Sequence, residues 1–223
     1  MAGLTLQTEA SKQALDVRDV KNYLKLDDNA DEVLVRTLIT TASDWVENHI
    51  ARSLINRTYK LSIDSINEFD FPLWEGFRDG PDMVYQKRYI PLPRGPIQSV
   101  SSVVTYDDAD TATTMNTSDY YVDSVSQPPR VMLRNNAVWP TALRVANAIE
   151  ITYVAGYGAS PLQIPEPIRL AMYQFIAFQY EHRGDFERFP PPNMPDSIEG
   201  LLRPYRTMSF SSDPYSMTNR RAR

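Results

Sequence analysis

The stretch DEVLVRTLITTASDWVENHIARSL, residues 31–54, sets the fold of the chain. Its apolar side chains recur at intervals of three and four residues, which predicts an α-helix with one apolar stripe. The stripe comprises Val35, Leu38, Ile39, Ala42, Trp45, Val46, His49 and Ile50. Asp31 and Glu32 add the negative charge that a helix N-terminus favours. A helix over residues 31–54 would measure about 36 Å, enough to form one side of a hydrophobic core.

Length and composition indicate a folded protein of one or two domains. The 223 residues are 42% hydrophobic and 23% charged, as is common in globular proteins. The absence of cysteine excludes disulfides and thiolate metal sites. No long apolar run or signal-peptide pattern is visible, so we expect no membrane contact. The formal charge of −5 argues against a general nucleic-acid binder.

Two further helices are expected on either side of a central region. Residues 16–25 begin with Asp16 as an N-cap and carry an apolar stripe. Residues 165–183 place a proline in the first turn and are followed by Gly184 as a C-terminal cap. This last helix is apolar almost all round, so its own fold or a neighbouring subunit must cover more than one side.

Between these helices, residues 57–155 show the period of two that predicts β-strands. Tyr59, Leu61 and Ile63 alternate with polar residues, and residues 97–106 and 148–156 also predict strands. The segments DYYVDSV and RVMLR predict a hairpin. Because the connections are short, the strands should pair antiparallel. The predicted fold class is α+β, a helical bundle with an inserted antiparallel β region and an extended C-terminal tail.

Both ends of the chain lack a core pattern. Residues 1–14 are small and polar and predict a flexible arm, so the main domain spans residues 15–184. Residues 185–223 begin with a proline-rich linker, offer one or two helical turns after residue 195, and end in a serine-rich tail. From residue 196 onward there are five arginines against three acidic residues. This basic tail is either a docking segment for a partner or merely solvated.

An aromatic stretch interrupts the β region at residues 67–82, NEFDFPLWEGFRDGPD. Its glycines, prolines and acids predict a loop. The four rings either pack back on the domain or contact a partner, since apolar loop residues serve little purpose in solvent. They are Phe69, Phe71, Trp74 and Phe77.

The motifs of common enzymes are absent from the sequence. It has no GxxxxGK[ST], HExxH or GxSxG pattern. His49 lies on the apolar side of a predicted helix, which is typical of a core or interface histidine. His182 stands at a helix end, where it can interact with the C-terminal dipole.

Two further segments resemble ligand sites only superficially. Asp107, Asp108 and Asp110 lack the other ligands of a calcium loop and predict a solvated turn. The segment AGYG, residues 155–158, is not a dinucleotide-binding motif. We therefore expect no catalytic residue, no cofactor and no metal site.

Five segments in a fixed order carry a family resemblance. They are LDVRDVKNYLKL, TTASDWVENHIARSLINRTY, YIPLPRGPIQSVSSV, ITYVAGYG and IPEPIRLAMYQFIAFQYEHRG. Over roughly residues 15–206 the chain resembles the head-to-tail connector, or adaptor, proteins of tailed bacteriophages and related gene transfer agents. The most distinctive pieces are the LPxGP corner at residues 92–96 and the glycine turn before the last long helix.

The resemblance implies a non-enzymatic virion protein of the neck, assembled in the bacterial host cytoplasm. It implies a twelve-subunit ring under the portal protein that extends the DNA channel and forms the platform for the stopper and tail. Duplex DNA would pass through during packaging and ejection without tight binding. The segment that reaches the portal maps onto this chain's C-terminal residues. The portal-docking residues are then Leu201, Leu202, Arg203, Tyr205, Arg206, Met208 and Phe210.

Two other functions are compatible with parts of the sequence. A β-rich receptor- or carbohydrate-binding module of a tail fibre or spike would use the aromatic stretch at 69–77 as a stacking platform. A hydrolase would need clustered acids, of which Asp107, Asp108 and Asp110 are the nearest approach.

Overall fold

The computed structural model describes residues 2–26, 31–64, 89–134, 136–183 and 195–207. These residues fall into two compact units, each built from separate parts of the chain. Residues 2–9 and 57–155 form a β unit, and residues 10–56 and 156–206 form a helical unit. Within the described residues, no helix has both the length and the hydropathy needed to cross a membrane.

The helical unit contains α1 (Val17–Leu24), α2 (Glu32–Ile50), α3 (Glu166–Glu181) and α4 (Asp196–Leu202). Short 3₁₀ turns lie at Pro161–Gln163 and Arg203–Tyr205. All four helices contribute to one apolar core. Its buried side chains include Val20, Val35, Ile39, Val46, Ile50, Ile168, Met172, Phe175, Ile176, Ile198 and Leu202.

Helix α1 begins as the sequence predicts. The Asp16 carboxylate accepts a hydrogen bond from the backbone N–H of Arg18 at 2.8 Å, which satisfies one of the donors left open at a helix start. The helix ends at Leu24 because Lys25 adopts a left-handed conformation with φ of 55°. The predicted span of 16–25 therefore includes one cap residue at each end.

Helix α2 ends earlier than predicted, at Ile50 instead of residue 54. Ala51 is left-handed, with φ of 56°, and its backbone N–H binds the carbonyl of Glu47. Apolar residues continue beyond this point, which is why their spacing overestimates the helix. The extra residues form a tight turn that returns the chain to the core.

Helix α3 confirms the predicted helix at 165–183 with narrower bounds. Pro165 is its N-cap and His182 its C-cap, and Pro167 lies in the first turn, where its missing N–H costs nothing. The predicted cap Gly184 lies outside the described residues.

Where the structure describes it, the β unit contains two sheets in which every strand pair is antiparallel, as predicted. The five-stranded sheet has the order β1-β2-β8-β4-β5 and the three-stranded sheet the order β3-β7-β6. The strands are β1 (Ala2–Thr8), β2 (Arg57–Ile63), β3 (Tyr89–Pro91), β4 (Ile97–Tyr106), β5 (Ala112–Thr114), β6 (Tyr120–Asp123), β7 (Arg130–Leu133) and β8 (Ile149–Ala155).

The apolar residues that alternate in the sequence lie on one buried face of the larger sheet. Strand β2 alternates buried and half-buried residues, and Leu61 lies opposite Ile151 of the central strand β8. These residues form the β core together with side chains from the second sheet and from the long loop before β8. The loop contributes Trp139, which is almost completely buried.

The prediction of a flexible arm over residues 1–14 is wrong. Residues 2–8 form β1, which pairs with β2 so that Leu4 lies opposite Leu61 and Leu6 opposite Tyr59. Ala14, the last residue of the predicted arm, is buried in the helical core beside Leu15. The alternation of leucine and polar residues in GLTLQT is a strand pattern, although a short one.

Candidate functional site

The sequence predicts a C-terminal segment without a core pattern that either docks on a partner or is solvated. The structure instead packs α4 against α2 and α3. Ile198 and Leu202 are completely buried, and Leu201 and Tyr205 pack partly against the same core. The prediction that this end lacks a core pattern is therefore wrong for α4, because two of its side chains are part of the helical core. Leu202 cannot contact a partner while α4 holds this position.

The other predicted docking residues divide into two groups. Arg203 and Arg206 are exposed at the end of the helical unit. Met208 and Phe210 lie outside the described residues, as do the four rings of the aromatic stretch, Phe69, Phe71, Trp74 and Phe77. The described members of the predicted docking set, Leu201, Leu202, Arg203, Tyr205 and Arg206, thus lie in one continuous segment at the end of the helical unit.

His49 lies beside this C-terminal segment. Its ring stacks on Trp45 with 5.1 Å between centroids, and Trp45 in turn stacks on Phe175 at 5.0 Å. Burial lowers the pKa of His49; Glu199 opposes this effect and Arg206 adds to it. The imidazole is thus a half-buried packing group that faces α4.

The end of α3 is attached to the start of α2 through Asp31. The Asp31 carboxylate accepts hydrogen bonds from the Tyr180 hydroxyl and, at 3.2 Å, from the Arg183 guanidinium. The Tyr180 bond is the main reason that the pKa of Asp31 is lowered; partial burial opposes it and Arg183 reinforces it. These contacts join the ends of the two longest helices.

His182 behaves as the sequence predicts. Its Nδ1 lies 2.7 Å from the carbonyl oxygen of Phe178, in the last turn of α3. Its ring also packs against the Phe178 ring, with 4.4 Å between centroids. The side chain therefore satisfies one of the carbonyls left open at the helix end.

The three aspartates at 107–110 form a turn between β4 and β5. The Asp107 carboxylate accepts from the backbone N–H groups of Ala109 and Thr111, at 2.9 and 2.8 Å, and the Thr111 bond is the main cause of its lowered pKa. Asp110 pairs with Arg144 at 3.2 Å. The Asp107 carboxylate thus stabilises the turn, and the Asp110 carboxylate links it to Arg144.

The described residues also do not meet the requirements of a metal site elsewhere in the chain. Among those residues, no three His, Cys, Asp or Glu side chains come together in a way that could hold an ion.

The AGYG segment is a crossing of two chain segments. Ile55 forms a parallel bridge with Gly158, and the backbone N–H of Asn56 binds the Gly158 carbonyl at 2.9 Å. Gly156 has φ of +146°, and a Cβ there would lie 2.6 Å from the Asn56 nitrogen. A side chain at residue 156 would therefore prevent the crossing. This close approach of two backbones accounts for the glycine, and nucleotide binding is not needed to explain it.

The LPxGP corner is fixed inside the β unit by a residue that the sequence did not single out. The Tyr153 hydroxyl donates to the Pro93 carbonyl at 2.9 Å, and the Leu92 N–H donates to the Pro129 carbonyl at 2.7 Å. The predicted strand at residues 148–156 includes Tyr153, but the strand pattern does not indicate a polar contact for it. The hydroxyl group of Tyr153 holds the LPxGP corner in place through its hydrogen bond to Pro93.

Exposed apolar side chains are present in both units. In the helical unit they are Tyr23, Val33, Leu162 and Leu170, and in the β unit Leu6, Tyr121, Val125, Val138 and Val145. Tyr23 stacks on Tyr173 of α3, with 5.2 Å between centroids. The periodicity of the sequence does not distinguish these residues from core residues.

Comparison with known proteins gives matches at the level of structure. No protein-family model and no curated protein matches the chain. Among solved structures, a chain from "Neck of empty GTA particle computed with C6 symmetry" superposes with a TM-score of 0.72 at 22% identity. That match covers 94% of this chain and 98% of the neck chain.

Two further structures give similar values. A chain from "Neck of native GTA particle computed with C12 symmetry" has a TM-score of 0.69 at 22% identity, covering 94% of this chain and 98% of that one. A chain from "Virion of native gene transfer agent (GTA) particle" has a TM-score of 0.68 at 20% identity, covering 94% and 97%. This chain is therefore an α+β protein with the fold of a chain from the neck of the gene transfer agent particle, consistent with the connector resemblance in its sequence.

Proposed function

We propose that this protein is a structural subunit of a virion neck, a head-to-tail adaptor that forms a ring under the portal. The ring extends the DNA channel and provides the platform for the stopper and tail. One observation carries the proposal: the likeness to a neck chain runs over 94% of this chain and 98% of the other. The shared fold is thus the whole neck subunit and not a common subdomain.

Ring formation is supported by apolar surface that one helical unit does not cover. On α3, Leu170 is exposed and Tyr173, Ala177 and Phe178 are only half-buried. Such a helix gains apolar burial when a neighbouring copy packs on it. The necks of the similar structures were computed with C6 and C12 symmetry, which agrees with a twelve-subunit ring.

Portal contact is assigned to the exposed side of the C-terminal segment. Arg203 and Arg206 lead out of the helical unit, and Met208 and Phe210 follow them in the sequence. Leu201 and Tyr205 have half-buried side chains whose outer parts can join the contact, whereas Leu202 anchors the segment from below. The arginines would pair with acidic groups on the portal, which makes the contact sensitive to salt.

DNA would pass through the ring without tight binding. The chain has a formal charge of −5, whereas tight contacts to a phosphate backbone come from clustered lysine and arginine. We expect the purified protein to have no submicromolar affinity for duplex DNA at physiological salt.

The remaining assignments concern chemistry and location. We assign the protein no catalytic activity, because the similar structures are chains of a virion and its neck. We assign the rings of Phe69, Phe71, Trp74 and Phe77 to a partner-contact loop, with a neighbouring neck protein as the partner. Subunits would assemble in the host cytoplasm and remain in the virion neck.

Electron cryo-microscopy of particles made with and without this protein tests the proposal. We expect a ring of copies between portal and tail in complete particles, and heads without tails when the gene is deleted. One copy per particle, or density on a tail fibre, would overturn it. The second result would favour a receptor-binding module.

A charge reversal tests the portal contact separately. The double variant Arg203→Glu, Arg206→Glu should bind purified portal at least tenfold more weakly, with the larger loss at low salt, because both charges are exposed. Arg18→Glu is the matched control, an exposed arginine on α1 of the same unit. Equal portal affinity of the double variant and the control would exclude this contact.

A further inference from the structure

The two edges of the five-stranded sheet are formed by different strands, and neither edge strand has a partner on its outer side among the described residues. Strand β1 lies at one edge and β5 at the other, and no strand in the described part of the chain pairs with their outer sides. Each outer side presents backbone N–H and C=O groups that can pair with another strand. An open edge of this kind is a template for strand addition.

Strand β1 has few of the features that keep sheet edges from pairing. Its seven residues, AGLTLQT, include no charge and no proline. Lysine, proline and inward-facing charges are the usual protection of edge strands, and a bulge between Leu6 and Thr8 is the one such device in β1. Seven residues are also enough for a full ladder of hydrogen bonds.

The core face of the sheet is incompletely covered at the same edge. Leu4 packs partly against the β core, and Leu6 lies on the same face opposite Tyr59. Leu6 is nevertheless 40% exposed, because no strand among the described residues lies beyond β1. A strand added there would complete the hydrogen bonds and cover Leu6 at once.

The opposite edge is suited to the same contact. Strand β5, Ala112–Thr114, is uncharged, and all three of its residues are exposed. It pairs on its inner side with residues 104–106 of β4. Four successive antiparallel pairings separate β1 from β5, so the two edge strands run in the same direction.

We propose that neighbouring copies join by parallel pairing of β1 of one copy with β5 of the next. A contact between two different patches is heterologous and can close into a ring, whereas pairing β1 with β1 gives only a two-fold dimer. Neighbouring subunits of a twelve-subunit ring differ by a rotation of only about 30°, so their strands keep nearly the same direction and the junction is parallel. This inference rests on the proposed ring, because cyclic symmetry is the reason to prefer the heterologous pair.

Cysteine cross-linking tests the junction directly, since the chain contains no cysteine of its own. Thr5 and Thr114 are exposed, and both lie on the sheet face opposite the core, because Thr5 pairs with Lys60 and Thr114 with Val104. Paired strands bring Cα atoms close enough for a disulfide, about 4.4–6.8 Å. We expect Thr5→Cys, Thr114→Cys subunits, oxidised in assembled particles, to form a ladder of covalent oligomers. Gly3→Cys with Thr114→Cys, and Thr5→Cys with Ala112→Cys, cover the neighbouring registers.

The single variants and a control pair give the opposing outcomes. Thr5→Cys alone should remain monomeric on denaturing gels; a covalent dimer would show β1 paired with β1 and overturn the proposal. Val125→Cys with Val145→Cys, exposed residues outside the strands, should not cross-link. Absence of a ladder in all three registers, in particles that contain the ring, also overturns it.

An edge substitution provides a second measurement. Leu6→Lys places a charge on the open edge and should reduce ring assembly at least tenfold, whereas Val145→Lys, at a side chain 93% exposed, should assemble normally. Equal assembly of both variants would contradict the junction. If wild-type particles have no ring, the proposed function fails; if they have a ring without these effects, only the strand junction fails.

Discussion

The carboxylate of Glu47 accepts a hydrogen bond from the backbone N–H of Leu54 at 2.9 Å, and both residues are buried. This bond spans the left-handed residue Ala51 and holds the turn that ends α2. A buried carboxylate is costly unless it is hydrogen-bonded, so its position here indicates a structural role. The turn leads directly to the crossing with the AGYG segment.

Removing this carboxylate should destabilise the helical unit. Glu47→Ala leaves the Leu54 N–H buried without that partner, and we expect a loss of about 2 kcal/mol in the free energy of unfolding. Asp44→Ala, at an exposed position on the same helix, should change it by less than about 0.5 kcal/mol. Urea unfolding followed by circular dichroism measures both. Equal stability of the two variants would show that Glu47 does not hold the turn.

Two glycine-to-alanine substitutions should change the free energy of unfolding in opposite directions. Gly156→Ala combines a φ of +146° with a Cβ 2.6 Å from backbone atoms, so it should cost at least about 2 kcal/mol. Gly200→Ala, inside α4 with no atom within 4 Å of the added Cβ, should stabilise by about 0.5–1 kcal/mol. Thermal unfolding of the two variants against wild type checks both signs. A Gly156→Ala protein with unchanged melting would contradict the close crossing.

Helix α4 should contribute to stability as well as to any docking. Leu202→Ala removes a completely buried side chain and should cost about 2–5 kcal/mol. Arg203→Ala, the exposed next residue, should cost less than about 0.5 kcal/mol. Chemical denaturation distinguishes them. If Leu202→Ala unfolds like wild type, α4 does not pack in solution as it does here.

The turn between β6 and β7 should weaken only in strong acid. Hydrogen bonds from the Ser126 hydroxyl and then the Ser126 backbone N–H are the main causes that lower the pKa of Asp123 to about 2; burial opposes them, and the Arg130 guanidinium lowers it further. A carboxyl with a lowered pKa adds stability above its unfolded value, and this is lost as the pH falls through the folded value. The contribution should therefore be constant at neutral pH and decline from about pH 4 to about pH 2.

Nuclear magnetic resonance titration of the Asp123 carboxyl carbon measures this directly. We expect a midpoint near the lowered value, with faster amide exchange at Val125 and Ser126 below it, since both N–H groups bind Asp123. Asp123→Asn should remove the acid-dependent change in exchange. A midpoint at the ordinary value of 3.8 would contradict the hydrogen-bond network.

Local patterns in the sequence were sufficient for most strands and helices. The alternation that buries Leu61 and Ile151 lies within each strand, and the Asp16 cap acts on its own helix. The short link between β6 and β7 determines their pairing as a hairpin. In each case the deciding residues are neighbours in the chain.

The features that sequence reasoning missed depend on distant residues. Strand β1 is stable because Leu4 pairs with Leu61, which lies far along the chain. Its own seven residues show only a weak strand pattern. The end of α2 depends on a bond from Glu47 to Leu54, which apolar spacing does not reveal. The burial of Leu202 requires a place among helices that only the assembled unit provides.

The position of β8 has a consequence for the order in which the protein folds. Strand β8 lies between β2 and β4, yet it is synthesised after both. Helix α3, which supplies Phe175 and Ile176 to the helical core, is made later still. Neither unit can therefore close its core until most of the chain has left the ribosome, so contacts far apart in sequence dominate and folding should be slow. During that interval β2 and β4 each lack their central partner, which makes nascent chains on one messenger most prone to pairing with each other.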